Sequence, residues 1–207
     1  MCATFLRFQE FYESPEFAGK VFSIEEFIPW YTANSPKGKA TGKFTYYTDW
    51  KGFNIPSHIL EPFYKGAFNP LSEKEAALLH LFKPQQSNDF YIIGTCDLST
   101  AETLTHEIAH GLFYTNPDYR RRALEIVRNA NPMASKRTEE WFTSKAGYGQ
   151  HVWDDEKHAY WGGNLDRLAE KGLEIRNLGV PQRELQQLFL EYAGQPRMST
   201  VQTENRP

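Results

Sequence analysis

The segment of residues 90–114 constrains the fold most, because it places a strand pattern directly before a long helix pattern. Its first part, FYIIGTC at residues 90–96, is rich in β-branched and aromatic residues and has the length of a strand. Ser99 and Glu102 then form a capping box, which typically opens a helix. The helix should run over about residues 100–114, since a proline follows shortly afterwards. We therefore expect a fold with both strands and helices.

The predicted helix carries a His-Glu-x-x-His pattern formed by His106, Glu107 and His110. At about 100° per residue, the two histidines lie roughly 40° apart around the helix and about 6 Å apart along it. Both imidazole rings can therefore reach one metal ion, and Glu107 lies at the edge of the same face. The apolar residues of this helix lie on the opposite side: Ala101, Leu104, Ile108 and Leu112. We expect the apolar side to pack on the core and the polar side to face a cleft.

A catalytic zinc site needs a third protein ligand and one open coordination position. Asn116 stands where a longer form of the motif has a third histidine, so the third ligand should lie further along the chain. Glu156 is the favoured residue, because it lies in a predicted helix and the small Ala159 leaves room beside the motif helix. Three residues near it remain open as alternatives: Asp155, His151 and His158.

The strand FYIIGTC, the helix with HEIAH and the later acidic segment DEKHAYW together resemble the core of the zincin metallopeptidases, in the group whose third ligand is a glutamate. The resemblance covers residues 90–161. It implies that His106 and His110 bind the metal, that Glu107 is the general base and that Glu156 is the third ligand. It also implies that the strand lies along the cleft, where it could pair with an extended peptide. The chain has neither the third histidine nor the NExxxD-type motif of well-known subfamilies.

The resemblance predicts a zinc-dependent peptidase or amide hydrolase that acts on a peptide or protein substrate. Zinc would bring the pKa of a water molecule towards neutrality, and Glu107 would move its proton to the leaving amine. A further polar group should stabilise the oxyanion. Tyr148 is assigned to this catalytic role, and its flanking glycines predict a mobile loop that forms a second wall of the cleft. Other polar residues nearby remain alternatives for the same role: His151, His158 and Tyr160.

Two other functions would use the same residues. Two histidines and one carboxylate also form the facial triad of non-haem iron oxygenases, so Fe²⁺ is the alternative to Zn²⁺. That function would make Glu107 less important and would need three open coordination positions. The third hypothesis is a non-enzymatic binding module with a structural metal, although closed zinc sites usually have cysteine-rich ligand sets.

Local patterns also predict the remaining elements. Capping boxes indicate one helix from Ser23 to about residue 32 and another over residues 73–82. Residues 43–50, KFTYYTDW, alternate and are rich in aromatic side chains, which indicates a strand. Residues 34–43 are expected to form a loop, and residues 52–70 an irregular segment, because glycine and proline interrupt them. Further helices are predicted in the second half: 117–129, 135–145, 154–161 and 180–194.

These patterns predict an α+β fold of the zincin-like kind, with a small mixed sheet in the N-terminal part, the motif helix and a mainly helical C-terminal part. We expect a single domain over residues 1–194. It would comprise an N-terminal part (1–89) that resembles no known family, a metal-site core (90–161) and a helical part (162–194). The polar segment 195–207 is predicted to be disordered.

Composition excludes several classes of protein. Hydrophobic residues make up 40% of the 207 residues and aromatic residues 15%, which is too apolar for a disordered chain. The net charge of -3 and the lack of a long basic block argue against nucleic-acid binding. No stretch of the sequence matches a signal peptide or a membrane-spanning segment. With only two cysteines, we expect a cytoplasmic protein, and its oligomeric state is left open.

Overall fold

Helices make up most of the structure, a computed structural model that describes residues 2–50, 52–85, 89–95, 101–163 and 165–194. The helices of the N-terminal half are α1 (Cys2–Glu13), α2 (Ile24–Asn34), α3 (Pro36–Thr41), α4 (Tyr46–Asp49), α5 (Glu61–Tyr64) and α6 (Glu73–Phe82). Those of the C-terminal half are α7 (Ala101–Thr115), α8 (Pro117–Asn129), α9 (Pro132–Trp141), α10 (Trp153–Gly162), α11 (Leu165–Glu170) and α12 (Gly179–Ala193). Within the described ranges, every helix is too short or too polar to cross a membrane.

The strands β1 (Gly52–Pro56) and β2 (Tyr91–Thr95) form a two-stranded sheet. They pair antiparallel, with Asn54 opposite Ile93. The sheet is therefore antiparallel, and the expectation of a mixed sheet is wrong. A mostly helical chain with a small antiparallel sheet is compatible with the predicted α+β class.

Capping residues place helix starts where the sequence predicts them. The Ser23 hydroxyl accepts a hydrogen bond from the backbone of Glu26, whose carboxylate accepts one from the backbone of Ser23. Ser72 and Glu75 form the same reciprocal pair at the start of α6. The predicted helices α7, α8, α10 and α12 and the strand β2 are also confirmed. Three predicted features lie outside the described residues: the Ser99 cap, the end of the strand at Cys96 and the tail 195–207.

The segment 43–50 is not the strand that its alternating aromatic pattern predicts, since it contains the helical turn α4. Tyr46 is fully buried, and its ring packs edge-on against Tyr31. Asp49 accepts hydrogen bonds from the hydroxyls of Tyr31 (2.8 Å) and Thr45 (2.6 Å). Packing against a distant aromatic residue and a local hydrogen bond thus override the intrinsic strand preference.

Two other N-terminal segments differ from the expectation. Residues 34–43, expected to form a loop, contain α3, whose start is capped by the Ser35 hydroxyl with a proline in the first turn. Residues 52–70, expected to be irregular, contain the strand β1, a 3₁₀ turn at Ser57–Leu60 and the short helix α5. β1 becomes a strand because it pairs with β2, which lies far along the chain and leaves no local signal in this segment.

Two apolar cores organise the helices, and α7 contacts elements of both. The first core contains residues of the N-terminal helices and the sheet and is rich in phenylalanine, including Phe8, Phe27 and Phe63. The second contains residues of the C-terminal helices, including Trp161 and Leu185. α7 contacts both strands of the sheet and also α8, α10 and α12. α7 therefore lies between the two cores.

Candidate metal centre

His106, His110 and Glu156 converge where α7 meets α10, and they form a group that could hold a metal ion. The Nε2 atoms of the two histidines lie 3.1 Å apart. The carboxylate of Glu156 places Oε1 3.7 Å from Nε2 of His110 and Oε2 3.9 Å from Nε2 of His106. Ligand atoms at about 2.1 Å from a tetrahedral zinc are roughly 3.4 Å from each other, so the three separations match the size of such a site.

The environment of Glu156 fits a positively charged partner. Its side chain is 2% exposed, and its Oε2 has no hydrogen-bond partner among the described residues. A buried carboxylate oxygen without a hydrogen-bond partner is costly. Burial, followed by the negative charges of Asp155 and Glu107, raises the pKa of Glu156 to about 8, although His110 acts in the opposite direction. A metal ion would supply the missing charge, and this nitrogen and oxygen donor set suits either zinc or iron.

Asp155 orients His110 from the other side of the ring. Its Oδ1 lies 2.8 Å from Nδ1 of His110. Burial alone would raise the pKa of Asp155, yet contact with His110 holds this pKa well below its usual value. In the same way, burial alone would lower the pKa of His110, but Asp155 and Glu156 raise it well above its usual value. A histidine that donates Nδ1–H to a carboxylate directs Nε2 towards the metal position.

His106 is the most accessible member of the group, with 22% of its side chain exposed against 1% for His110. Its ring packs against Tyr160, with 4.6 Å between the ring centroids. Burial, followed by the charge of His110, holds the pKa of His106 well below its usual value. A neutral imidazole is the form that binds a metal. The partial exposure of His106 also connects the metal-binding group to open space.

Glu107 faces the sheet and does not join the three converging side chains. Its Oε2 accepts a hydrogen bond of 3.0 Å from Nδ2 of Asn54 in β1. Asn54 is held in turn by the Tyr91 hydroxyl, which donates to its Oδ1 at 2.6 Å, and by Gln9, which accepts from its backbone N–H at 3.0 Å. Burial raises the pKa of Glu107, while His110 and the Asn54 hydrogen bond lower it. The charge of His110 therefore acts on the Glu107 carboxyl, which itself contacts β1.

Gly52 makes room for Glu107. A Cβ atom at position 52 would lie 2.2 Å from Oε1 and 3.0 Å from the carboxyl carbon of Glu107. Glycine therefore allows β1 to approach α7 this closely. No sequence pattern points to Gly52 or Asn54, because β1 has no local signal and the contact between Asn54 and Glu107 spans 53 positions.

Two of the three motif residues on α7 are buried, which differs from the expected orientation of this helix. Glu107 and His110 are 5% and 1% exposed, whereas Leu104 and Ile108 are only partly buried. Leu112 is the one member of the expected apolar stripe that is buried. The polar face can be buried because hydrogen bonds from β1 and α10 satisfy its side chains.

Tyr148, assigned to the oxyanion role from the sequence, lies beside the metal-binding group. Its hydroxyl is 3.1 Å from that of Tyr160 and interacts with the carboxylate of Glu156. Burial, followed by the negative charge of Glu156, raises the pKa of Tyr148 well above its usual value. Tyr148 therefore keeps its proton and can donate a hydrogen bond, and its catalytic role stays a prediction.

The two histidines left open as third ligands are held elsewhere by backbone carbonyls. His151 is exposed, and its Nε2 lies 2.5 Å from the carbonyl oxygen of Tyr12. His158 is buried, with Nδ1 2.5 Å from the carbonyl oxygen of Asp155 and Nε2 3.3 Å from that of Ala109. The described structure thus brings the favoured glutamate, and neither of these histidines, to the motif pair.

Glu13, at the end of α1, is a buried glutamate that the sequence analysis did not consider. Burial, followed by the charge of Glu156, raises the pKa of Glu13 well above its usual value. A hydrogen bond from Gln9 and the charge of His110 act in the opposite direction. The N-terminal helix therefore contributes a carboxyl group near the site, although its sequence carries no motif.

A cavity of about 660 Å³ opens beside His106, and we call it the α12 cavity. Besides His106, its lining comes mainly from α7, α10, α11 and α12. From the sequence, the strand at 90–96 and the loop around Tyr148 were expected to form the walls of the cleft. Among the described residues, neither segment lines this cavity.

Comparisons with models of protein families, with curated proteins and with solved structures find no match to this chain. The interpretation of the site therefore depends on its own residues and geometry. The resemblance to the zincin metallopeptidases stays a hypothesis, carried by the HEIAH motif and the position of Glu156.

Proposed function

We propose that the protein is a zinc-dependent hydrolase of peptide or other amide bonds, of the zincin metallopeptidase type. The observation that carries this proposal is the separate placement of the motif side chains along α7. His106 and His110 converge with Glu156, while Asn54 holds Glu107 beside them and outside the group. A metal-dependent hydrolase needs both a set of ligands and a separate carboxylate for proton transfer. The proposed substrate is a peptide or protein.

The side chains divide the proposed reaction between them. Zinc held by His106, His110 and Glu156 would acidify water and polarise the carbonyl group of the substrate. Glu107 accepts one proton from the water whose oxygen adds to the carbonyl carbon. The same carboxyl then gives this proton to the leaving nitrogen as the C–N bond breaks, so that an acid and an amine form. Glu107 ends the cycle in its starting state.

Tyr148 is the proposed donor to the carbonyl oxygen. Burial keeps its hydroxyl protonated, and the hydroxyl of Tyr160 at 3.1 Å helps to orient it. Donors of this kind stabilise the negative charge that develops on the oxygen during addition. The interaction of Tyr148 with the carboxylate of Glu156 supports this assignment.

Replacement of Glu107 by glutamine tests the proposed reaction. Glu107→Gln keeps the size of the side chain but removes its ability to accept a proton. We expect the zinc-loaded variant to hydrolyse a peptide pool about 10²-fold more slowly or worse, the usual scale for a general base, with unchanged zinc content. Glu125→Gln, an exposed position on α8, is the control and should cleave like the wild type. Equal cleavage by Glu107→Gln and the wild type would contradict the proposal.

An iron oxygenase is the second candidate, because two histidines and a glutamate are also its ligand set. That reaction has no use for the glutamate that Asn54 holds beside the ligands, which is why we favour hydrolysis. Elemental analysis of protein purified without a metal-affinity step distinguishes the two. Zinc with peptide cleavage supports the hydrolase, whereas iron with oxygen consumption and no cleavage supports the oxygenase.

A further inference from the structure

We infer that the α12 cavity receives a bulky apolar group of the substrate. The substrate class would then be a peptide or amide with a large aliphatic or aromatic side chain next to the bond that breaks. This inference rests on the proposed function, since His106 is both a wall of the cavity and a member of the metal-binding group.

The walls of the α12 cavity provide space on one side and apolar surface on the other. The residues on α7 and α10 that create the space are small: Ala101, Ala109, Ala159 and Gly162. The residues on α12 that supply the apolar surface are large: Leu185, Phe189 and Leu190. A volume of about 660 Å³ lies within the roughly 300–1,000 Å³ of sites that enclose a small organic ligand. A phenyl or indole ring therefore fits.

Polar groups at the cavity disfavour a negatively charged occupant. Gln182 and Gln186 lie four residues apart on α12 and line the same wall. The Gln182 amide already donates to the carbonyl oxygen of Gly163 at 2.7 Å, and the amide of the exposed Gln186 can hydrogen-bond a peptide backbone. Glu102 and Asp166 also line the cavity. Glu102 pairs with Arg167, and the negative charge of Asp166 disfavours a negatively charged group.

The position of the cavity on α7 relates it to the proposed chemistry. Thr105 and Ala109 lie on one flank of His106, and Glu107 lies on the other, because successive residues are rotated by about 100°. Thr105 and Ala109 line the cavity, whereas Glu107 faces β1. A substrate anchored in the cavity would therefore pass over His106 and place the neighbouring bond between the ligands and Glu107.

Filling the cavity tests the inference. Thr105 is exposed, lines the cavity and donates its hydroxyl to the carbonyl four residues earlier, so Thr105→Phe should fold and occupy the space. Thr115→Phe is the matched control, because Thr115 is exposed on the same helix and makes the same kind of hydroxyl contact, to Gly111, outside the cavity lining. Zinc content and thermal melting are compared first, so that a loss of fold is recognised.

The first readout is the preference for cleavage sites in a degenerate peptide pool, analysed by mass spectrometry. The wild type should prefer bonds beside a large apolar residue. The preference is the ratio of cleavage beside large apolar residues to cleavage beside alanine or glycine. This ratio should fall at least about tenfold in Thr105→Phe and stay unchanged in Thr115→Phe. A wild type without the preference, or a Thr105→Phe variant that retains it, would overturn the inference and leave the hydrolase proposal standing.

The second readout needs no activity and uses N-phenyl-1-naphthylamine, a neutral apolar fluorophore. The wild type and Thr115→Phe should bind it, and Thr105→Phe should bind at least about tenfold more weakly. If the three proteins bind the fluorophore in this way but the wild type cleaves no peptide, the proposed function would be overturned. The cavity would then be supported only as an apolar binding site. Equal binding by all three proteins would overturn the inference itself.

A second pair of variants fills the cavity from the opposite wall. Gln186→Trp introduces a large ring from the exposed side of α12. Gln187→Trp is its control, because Gln187 is also exposed but lines a different groove of the protein. The inference requires the same losses in Gln186→Trp as in Thr105→Phe, and wild-type behaviour in Gln187→Trp.

Discussion

At the scale of single residues, two neighbours on α10 have different roles at one histidine. Glu156 faces Nε2 of His110 at 3.7 Å, and Asp155 contacts Nδ1 of the same ring at 2.8 Å. Successive helical residues are rotated by about 100°, so adjacent carboxylates can reach opposite sides of one imidazole. Asp155 therefore holds the ring in the orientation that the metal-binding group requires.

Asp155→Asn tests this positioning role. We expect the affinity for zinc to fall by about 10- to 100-fold, because the neutral amide holds the His110 ring less firmly. A competition titration against a chromophoric chelator measures the affinity. Asp154→Asn is the control, since Asp154 contacts Arg128 near the surface, and it should bind zinc like the wild type. Equal affinity in Asp155→Asn and the wild type would show that Asp155 does not position His110.

At the scale of secondary-structure elements, the short strand β1 positions Glu107. Asn54 donates to the Glu107 carboxylate, and Gly52 leaves the space that this carboxylate occupies. β2 supports β1 through the backbone ladder and through the Tyr91 hydroxyl. A strand of five residues thus contacts the proposed general base from outside the helix that carries it.

Gly52→Ala should displace the Glu107 carboxylate, because the new methyl group would lie 2.2 Å from its Oε1. We expect peptide hydrolysis to fall by about 10²-fold, the scale of a misplaced catalytic group, while zinc content stays unchanged. Gly179→Ala is the control, since its new methyl group would meet only Arg183, at an ordinary 3.7 Å. Full activity in Gly52→Ala would contradict the positioning role of β1, whereas loss of zinc would indicate a wider disturbance of the site.

At the scale of the whole molecule, the fold buries five carboxyl groups on α1, α7 and α10: Glu10, Glu13, Glu107, Asp155 and Glu156. Burial acts on the pKa of each of them in the same upward direction. Such groups destabilise the folded protein when they lose their protons without a partner. The stability of the protein should therefore depend on pH even away from the metal ligands.

Glu10 provides the test of this dependence. Burial raises the pKa of Glu10 from 4.5 to about 7, although the hydroxyls of Tyr46 and Ser14 act in the opposite direction. The folded state therefore holds this proton more tightly than the unfolded chain does. The resulting stability is complete below pH 4.5 and is lost as the pH rises through about 7.

Glu10→Gln removes this titration, because its amide resembles the protonated acid. Relative to the variant, the free energy of unfolding of the wild type should fall by about 3 kcal/mol between about pH 4 and pH 8. Urea denaturation with a chelator present measures both proteins without bound metal. Glu25→Gln, on the exposed side of α2, should follow the wild type. A difference between the wild type and Glu10→Gln that stays constant with pH would contradict the prediction.

The sequence by itself determined the features that depend on near neighbours along the chain. The spacing of His106 and His110 follows from helical geometry, which is the same in every α-helix. The capping box of Ser23 and Glu26 involves residues three positions apart and is present as predicted. Glu156 could be favoured because α10 was itself predicted from a local pattern.

Only the tertiary structure decided which residues meet the motif. Asn54 and Glu107 are 53 positions apart, and Asp155 and His110 are 45 positions apart, so no local pattern records either contact. Periodicity shows which side chains of α7 share a face. Which face is covered depends on where β1 and α10 pack, and therefore the burial of its polar side could not be read from the helix alone.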